Sequence, residues 1–174
     1  RLFLLFRNNG VYNFQQNSIQ FTAAIDSTGK DLKIPVNIRI ENIQQRINDT
    51  LVKIPYTQYK IKDIDVFIDH LDSDNSIPQF TDSLTYKNIT LYSKGPLKYS
   101  PKAINSGISI QLGDLYSDEK RNLTYRYFTN LKNFKYPSIS HTTIPEENNA
   151  LKASILLTPR ERFSLGFDLD LSHS

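Results

Sequence analysis

The chain has 174 residues and a net charge of +3, with 39% hydrophobic and 11% aromatic residues, enough for one domain or two small ones with buried cores. It contains no Cys, Met or Trp and only three His, which excludes a disulfide framework and a Cys- or His-rich metal cluster. The small positive charge serves solubility and is not a nucleic-acid footprint, and no apolar run approaches the ~20 residues of a membrane-spanning helix.

Arg1 and the lack of Met read as a fragment of a longer protein, with any targeting segment upstream. Residues 1–9 read as the end of a helix, with Leu2, Leu5 and Phe6 on one face. Gly10 suits the left-handed residue just past a helix end. Ile19, Phe21, Ala23 and Ile25 alternate with mostly polar neighbours, and Asp26-Ser27-Thr28-Gly29-Lys30 is a turn. Leu32, Ile34, Val36, Ile38 and Ile40 alternate again, so 18–40 reads as a hairpin with one buried face, with Pro35 at an edge or bulge. Residues 41–58 read as a polar connection with a strand extension near 51–54.

Tyr59 to Ile68 forms the next strand, and the shift of apolar register between Ile61 and Ile64 implies a bulge. The stretch 72–95 is the least regular: a turn at 72–75, a strand within 86–92, and overall an ordered excursion or a loop that contacts partners. Ser100-Pro101 opens a helix that turns Ile104 and Ile108 to the core. Gly113-Asp114 breaks the chain. Ser117 caps a second helix with Asp118 and Glu119 at its positive end and Leu123, Tyr127, Phe128 and Leu131 on one face. Asn133 ends that helix, 138–144 is a strand, 145–149 a turn, and Leu151, Ala153, Ile155 and Leu157 mark the returning strand.

The segment LFRNNGVYNF at 5–14 parallels YFTNLKNFKYP at 127–137, with Gly10 opposite Asn133 and a hairpin after each. The chain therefore reads as two copies of a strand–helix–helix–strand–strand unit, the first lacking its opening strand and first helix. After Thr158-Pro159, Phe163, Leu165, Phe167, Leu169 and Leu171 alternate strictly with Arg162, Ser164, Gly166, Asp168, Asp170 and Ser172. That is the length and period of a transmembrane barrel strand, although an amphipathic strand on a soluble core has the same pattern.

No catalytic, cofactor-binding or metal-binding residue is expected. His70 lies near Asp69 and Asp72, but no second His or Glu is spaced to join it, and a solvated loop accounts for it. Ser138-Ile139-Ser140-His141 has no nucleophile elbow. Gly113-Asp114 suits a helix–helix turn whose Asp bonds local N–H groups. Lys94, Lys98 and Lys102 with Tyr92 and Tyr99 make a modest basic-aromatic patch that reads as a solvated face. The triplets starting at Asn48, Asn88 and Asn122 match the glycosylation sequon, which an Asn-rich chain produces by chance. The remaining chemistry is that of the backbone. The strand at 136–144 is expected on a sheet edge, where unpaired N–H and C=O groups accept another chain by strand addition, with Pro137 blunting one end. The strand at 18–25 is the equivalent edge of the first unit. The contact residues are then Ser138, Ile139, Ser140 and His141 on the second unit, and Ile19, Gln20 and Phe21 on the first.

Three stretches carry a family resemblance: YKIKDIDVFI at 59–68, SPKAINSGISIQLGDLYS at 100–117 and RNLTYRYFTNLKNFKYPSIS at 121–140. They resemble the opening strand, first helix and turn, and second helix and edge strand of POTRA domains. LKASILLTPRERFSLGFDLDLSHS at 151–174 is similar to the junction where the last POTRA domain enters the first strand of a BamA/TamA-type outer-membrane barrel, and the Leu-Thr-Pro junction with Asn- and Tyr-rich composition looks most like the TamL lipoprotein branch. The 72–95 insertion departs from the family pattern. The resemblance implies an α+β fold of tandem POTRA units, each a three-stranded sheet with two helices on one face. It divides the chain into a partial unit over 1–54, a complete one over 55–159, and an incipient barrel strand over 160–174. It implies a non-enzymatic arm on the periplasmic face of the bacterial outer membrane. Such an arm binds unfolded outer-membrane protein clients or periplasmic accessory subunits, with no cofactor and no nucleic acid, and reaches the membrane through a downstream barrel. A POTRA-like scaffold of a division or secretion complex without a barrel is the alternative, and a domain of a secreted glycosidase or adhesin a third reading.

Overall fold

The computed structural model describes residues 1–24, 34–68 and 80–160. The turn expected at 26–30, His70 with its neighbouring acids, and the alternating segment after Arg160 lie outside these residues. A helix α1 (Leu2–Asn8) and a 3₁₀ turn (Gln16–Ser18) precede the strands β1 (Ile19–Ala23), β2 (Val36–Ile40), β3 (Ile43–Ile47) and β4 (Thr50–Ile54). There follow β5 (Lys60–Ile68), β6 (Asp82–Tyr86), β7 (Ile89–Ser93), α2 (Pro101–Ser106), α3 (Asp118–Asn130), β8 (Phe134–Thr143) and β9 (Ala150–Pro159).

The fold is α+β. β5, α2, α3, β8 and β9 run in the strand–helix–helix–strand–strand order, and their strands belong to a sheet ordered β6-β7-β5-β9-β8. β5 pairs parallel with both β7 and β9, while the outer pairs are antiparallel. The β6–β7 hairpin widens the expected three-stranded sheet to five, and it occupies much of the stretch that the sequence pattern leaves irregular. Its short strands turn at Lys87, which has φ 52°, and its buried face carries Ile89 and Leu91 with the small polar Ser93. Ile64, Val66, Ile68, Leu91, Leu151, Ala153, Ile155 and Leu157 meet Ile104, Tyr116 and Phe128 in one core, each large side chain contributing roughly 1.5–3 kcal/mol by leaving water. The bulge in β5 falls between Ile61 and Asp63, where the apolar register shifts. A second bulge interrupts β8 between Lys135 and Ser138; Tyr136 takes φ 46° there and Pro137 is buried, consistent with proline's restriction to strand edges and bulges.

Helix α3 starts as its sequence implies. Ser117 Oγ accepts from Lys120 N at 3.3 Å. Its inward face, however, is Thr124 and Phe128, while Leu123, Tyr127 and Leu131 stay substantially exposed. Thr124 can be buried because Oγ1 accepts from Ser109 N at 3.0 Å and donates to Lys120 O at 2.9 Å, so its hydroxyl is satisfied. The left-handed residue past the helix is Lys132 (φ 56°) and not Asn133, one position earlier than the repeat alignment with Gly10 requires.

The N-terminal part departs further from expectation. α1 turns Phe3 and Phe6 inward instead of Leu5, which is exposed; Phe6 stacks on Phe14 at 4.3 Å, and Phe14 meets Tyr56 at 4.8 Å. β1 and β2 do pair as a hairpin, but its apolar face is uncovered: Phe21 is 64% exposed and Ile38 55%. Residues 43–54 form another hairpin and not a polar connection. Asn48 and Asp49 both take left-handed values (φ 45° and 61°), the two-residue turn that matches strand twist. Gly10, at φ 96°, joins this part to the main sheet: its N–H donates to Tyr116 O at 2.9 Å and its carbonyl accepts from Tyr59 N at 2.8 Å.

Candidate functional site at the sheet edges

β8 is an edge strand, and hydrogen bonding sets which of its residues face outward. Ile144 N donates to Ala150 O at 3.0 Å in the register that pairs Ser140 with Ser154 and Ser138 with Leu156. Because antiparallel pairs alternate between bonded and non-bonded, Ser138, Ser140 and Thr142 spend their backbone groups on β9. Ile139, His141 and Thr143 aim theirs at the free edge. Two of the outward carbonyls are already occupied. Arg121 Nε donates to Ile139 O at 3.3 Å, and Tyr12 OH donates to His141 O at 2.7 Å. The four expected contact residues thus lie on one edge, with Ser138 and Ser140 exposed and the Ile139 and His141 side chains buried, but that edge is partly shielded from within the chain.

The other expected edge differs. Glu41 N donates to Ser18 O at 2.8 Å and Ala24 N to Pro35 O at 3.2 Å, so in the β1–β2 register Gln20 is bonded to β2. Ile19, Phe21 and Ala23 direct their backbone groups outward. No side-chain cap on these groups is found among the described residues. Phe21 also sits across from Ile38, so an open backbone edge adjoins an open apolar face.

Tyr12 is held by a cluster linking α1 to the main sheet. Arg7 donates to Asp118 through Nε and Nη2, both at 2.9 Å, to Tyr116 OH at 2.6 Å, and to the carbonyl of Tyr12. Tyr116 OH donates to Asp118 at 2.6 Å. The Tyr116 ring lies edge-on to Tyr12 at 5.1 Å and to His141 at 4.9 Å, and the Arg7 guanidinium lies 4.8 Å from its centre. The hydrogen bonds from Arg7 hold the Asp118 carboxyl below its usual range despite burial. Burial, reinforced by the bond to Asp118, pushes the Tyr116 phenol up. Burial, with the nearby cations Arg121 and Arg7, pulls the His141 imidazole down to about 4, so it is neutral at pH 7. This cluster has no sequence signature, since Arg7, Tyr12, Tyr116, Asp118 and His141 are spread over three segments.

No family model matches the chain, and no curated protein matches it. Among solved structures it is similar to the crystal structure of BamA POTRA3-5 from Haemophilus influenzae, at 12% identity over 89% of this chain and 76% of that one, with a TM-score of 0.35.

Elsewhere the chemistry is sparse. Among the described residues no three His, Asp or Glu cluster as a metal site, and no helix is long and apolar enough to cross a membrane. An open cleft of about 680 Å³ is lined by Lys60, Lys62, Leu112, Leu115 and Glu147, with Lys62 and Glu147 paired at 3.3 Å. Asp114 bonds locally, accepting from Gln111 N at 2.9 Å and pairing with Lys120 at 2.7 Å. The basic-aromatic patch is not one surface: Tyr99 packs on Phe134 at 5.1 Å against the core, while Tyr92 stacks on Phe67 at 5.1 Å on the opposite face of the sheet.

Proposed function

We propose that this chain is a POTRA-type protein-binding arm, a partial unit over 1–54 and a complete one over 55–159, which receives extended segments of other proteins by strand addition. The observation that carries the reading is the β1 edge, whose outward backbone groups at Ile19, Phe21 and Ala23 adjoin the exposed side chains of Phe21 and Ile38. An added strand with alternating apolar residues satisfies the backbone groups and sets its own apolar side chains beside Phe21, extending that face. The β8 edge supplies a second, shielded site. The residue resemblance supports the rest: a place on the periplasmic face of the bacterial outer membrane, unfolded outer-membrane proteins or periplasmic accessory subunits as partners, and a barrel beginning at 160–174.

Proline substitutions test it at positions where the lost N–H serves only the outward edge. Phe21→Pro on β1 and Thr143→Pro on β8 spare the ladder bonds, whereas a proline at Ser140 breaks one. Photo-crosslinking of a ten-residue peptide alternating valine with threonine or lysine is expected to fall several-fold at the substituted edge, with the far-ultraviolet circular dichroism unchanged. Unaltered crosslinking at both edges rejects strand addition. The barrel is tested by the reading frame after Ser174: successive alternating segments of about ten residues support it, and a stop codon removes it.

A further inference from the structure

We infer that Tyr12 is an intramolecular cap on the β8 edge, one that an incoming strand must displace. This rests on reading β8 as a strand-addition edge. Of the groups a strand would need at Ile139 and His141, both carbonyls already have donors, Arg121 Nε at 3.3 Å and Tyr12 OH at 2.7 Å. The two caps differ in origin. Arg121 belongs to α3, which packs on β8 within the same unit. Tyr12 belongs to the segment behind α1, and Arg7 grips its carbonyl while paired with Asp118. Opening β8 therefore means withdrawing Tyr12 from His141, and the position of Tyr12 is tied to α1 through Arg7. The His141 carbonyl becomes accessible when the α1 segment lets go, and no such restraint on β1 is found among the described residues.

The coupling runs both ways. A strand that takes the His141 carbonyl loosens the α1 segment, and a partner that pulls on that segment exposes β8. Such a device keeps a strand edge from indiscriminate pairing while leaving it available to a client.

The test uses the full chain and the same alternating photo-crosslinking peptide, with adducts mapped to β1 and β8. Tyr12→Phe deletes only the donor and keeps the ring between Tyr116 and Tyr59. Arg121→Met removes the other cap. Tyr12→Phe is expected to raise β8 adducts about threefold to tenfold, the range for one hydrogen bond, and to leave β1 adducts unchanged. The double variant is expected to exceed either single one, with thermal unfolding checking that each variant is folded. If wild type and Tyr12→Phe label β8 equally, the cap is refuted while the edge reading stands. A fall at β8 makes Tyr12 part of the receiving surface and also refutes the cap. If none of the four proteins labels β8, the edge reading fails there and the cap with it.

Discussion

Arg7 and Asp118, 111 residues apart in sequence, meet through two hydrogen bonds of 2.9 Å. The pair is largely buried, with side chains 19% and 14% exposed, so its arms are not free to be solvated if one is lost. The Tyr116 hydroxyl completes it, accepting from Arg7 and donating to Asp118.

Removing one arm leaves the other partly buried and unpaired. Arg7→Met is expected to cost about 2 kcal/mol, below the range for a fully buried pair, and to lower Tm by roughly 4–8 °C for a chain of this size. A change within about 1 °C in thermal unfolding would reduce the pair to an ordinary surface bridge.

His141 gives the protein a pH dependence with a definite sign. Its pKa is about 4 in the fold against the usual 6.5, so between these values the unfolded chain takes up the proton that the folded one refuses. The stability is complete above about pH 6.5 and is lost as pH falls towards 4, by about 2–3 kcal/mol. Asp118, held below its usual 3.8, contributes above that value and loses its contribution only at lower pH. His141→Gln is expected to flatten the 6.5-to-4 limb of a denaturant midpoint against pH and to leave the more acidic limb in place.

Gly107 is required for space, since its φ is an ordinary −85°. A Cβ there would overlap the Tyr127 ring and lie 3.1 Å from Phe128. Gly107→Ala is expected to destabilise by about 1–3 kcal/mol through overpacking, and Gly107→Ala in a Tyr127→Ala background to recover much of it. Equal losses in both backgrounds would contradict this account.

Asp65 is only 5% exposed in the middle of the sheet and is paired with Lys152, whose pKa that bond raises above its usual value. Lys152→Ala is expected to cost about 3 kcal/mol because it strands a buried carboxylate. Asp65→Asn costs less, and adding it to Lys152→Ala restores part of the loss; chemical denaturation of the three variants measures the order.

Features set by neighbours in sequence were readable: the Ser117 cap, the Gly10 turn, the bulge after Ile61 and the alternation of β9. Features set by pairing at a distance were not. Ile43 to Ile54 carries too few apolar positions to announce a hairpin, and the Asn48-Asp49 turn was the available clue. Leu123, Tyr127 and Leu131 outweigh Thr124 in any count of apolar residues, yet Thr124 lies inside because Ser109 and Lys120 satisfy its hydroxyl. The expected contact residues at 138–141 were placed on an edge from topology alone. That Tyr12 and Arg121 cover two of their carbonyls depends on side chains from two other segments, and no local pattern encodes it.

The parallel pairing of β5 with β9 joins Lys60 to Ala150 and Ile68 to Leu157, so the strand that completes the middle of the sheet is the final one described. A ribosome that has made everything up to the β8–β9 turn has made a chain whose central strand still lacks a neighbour on one side. Local contacts do not relieve this, because the closure spans some ninety residues and its entropy must be met before any of the pairing is gained. Until Leu157 emerges, β5 and β8 are both bare β-edges. The nascent protein is thus, for a time, the same kind of substrate that its finished edges are proposed to hold.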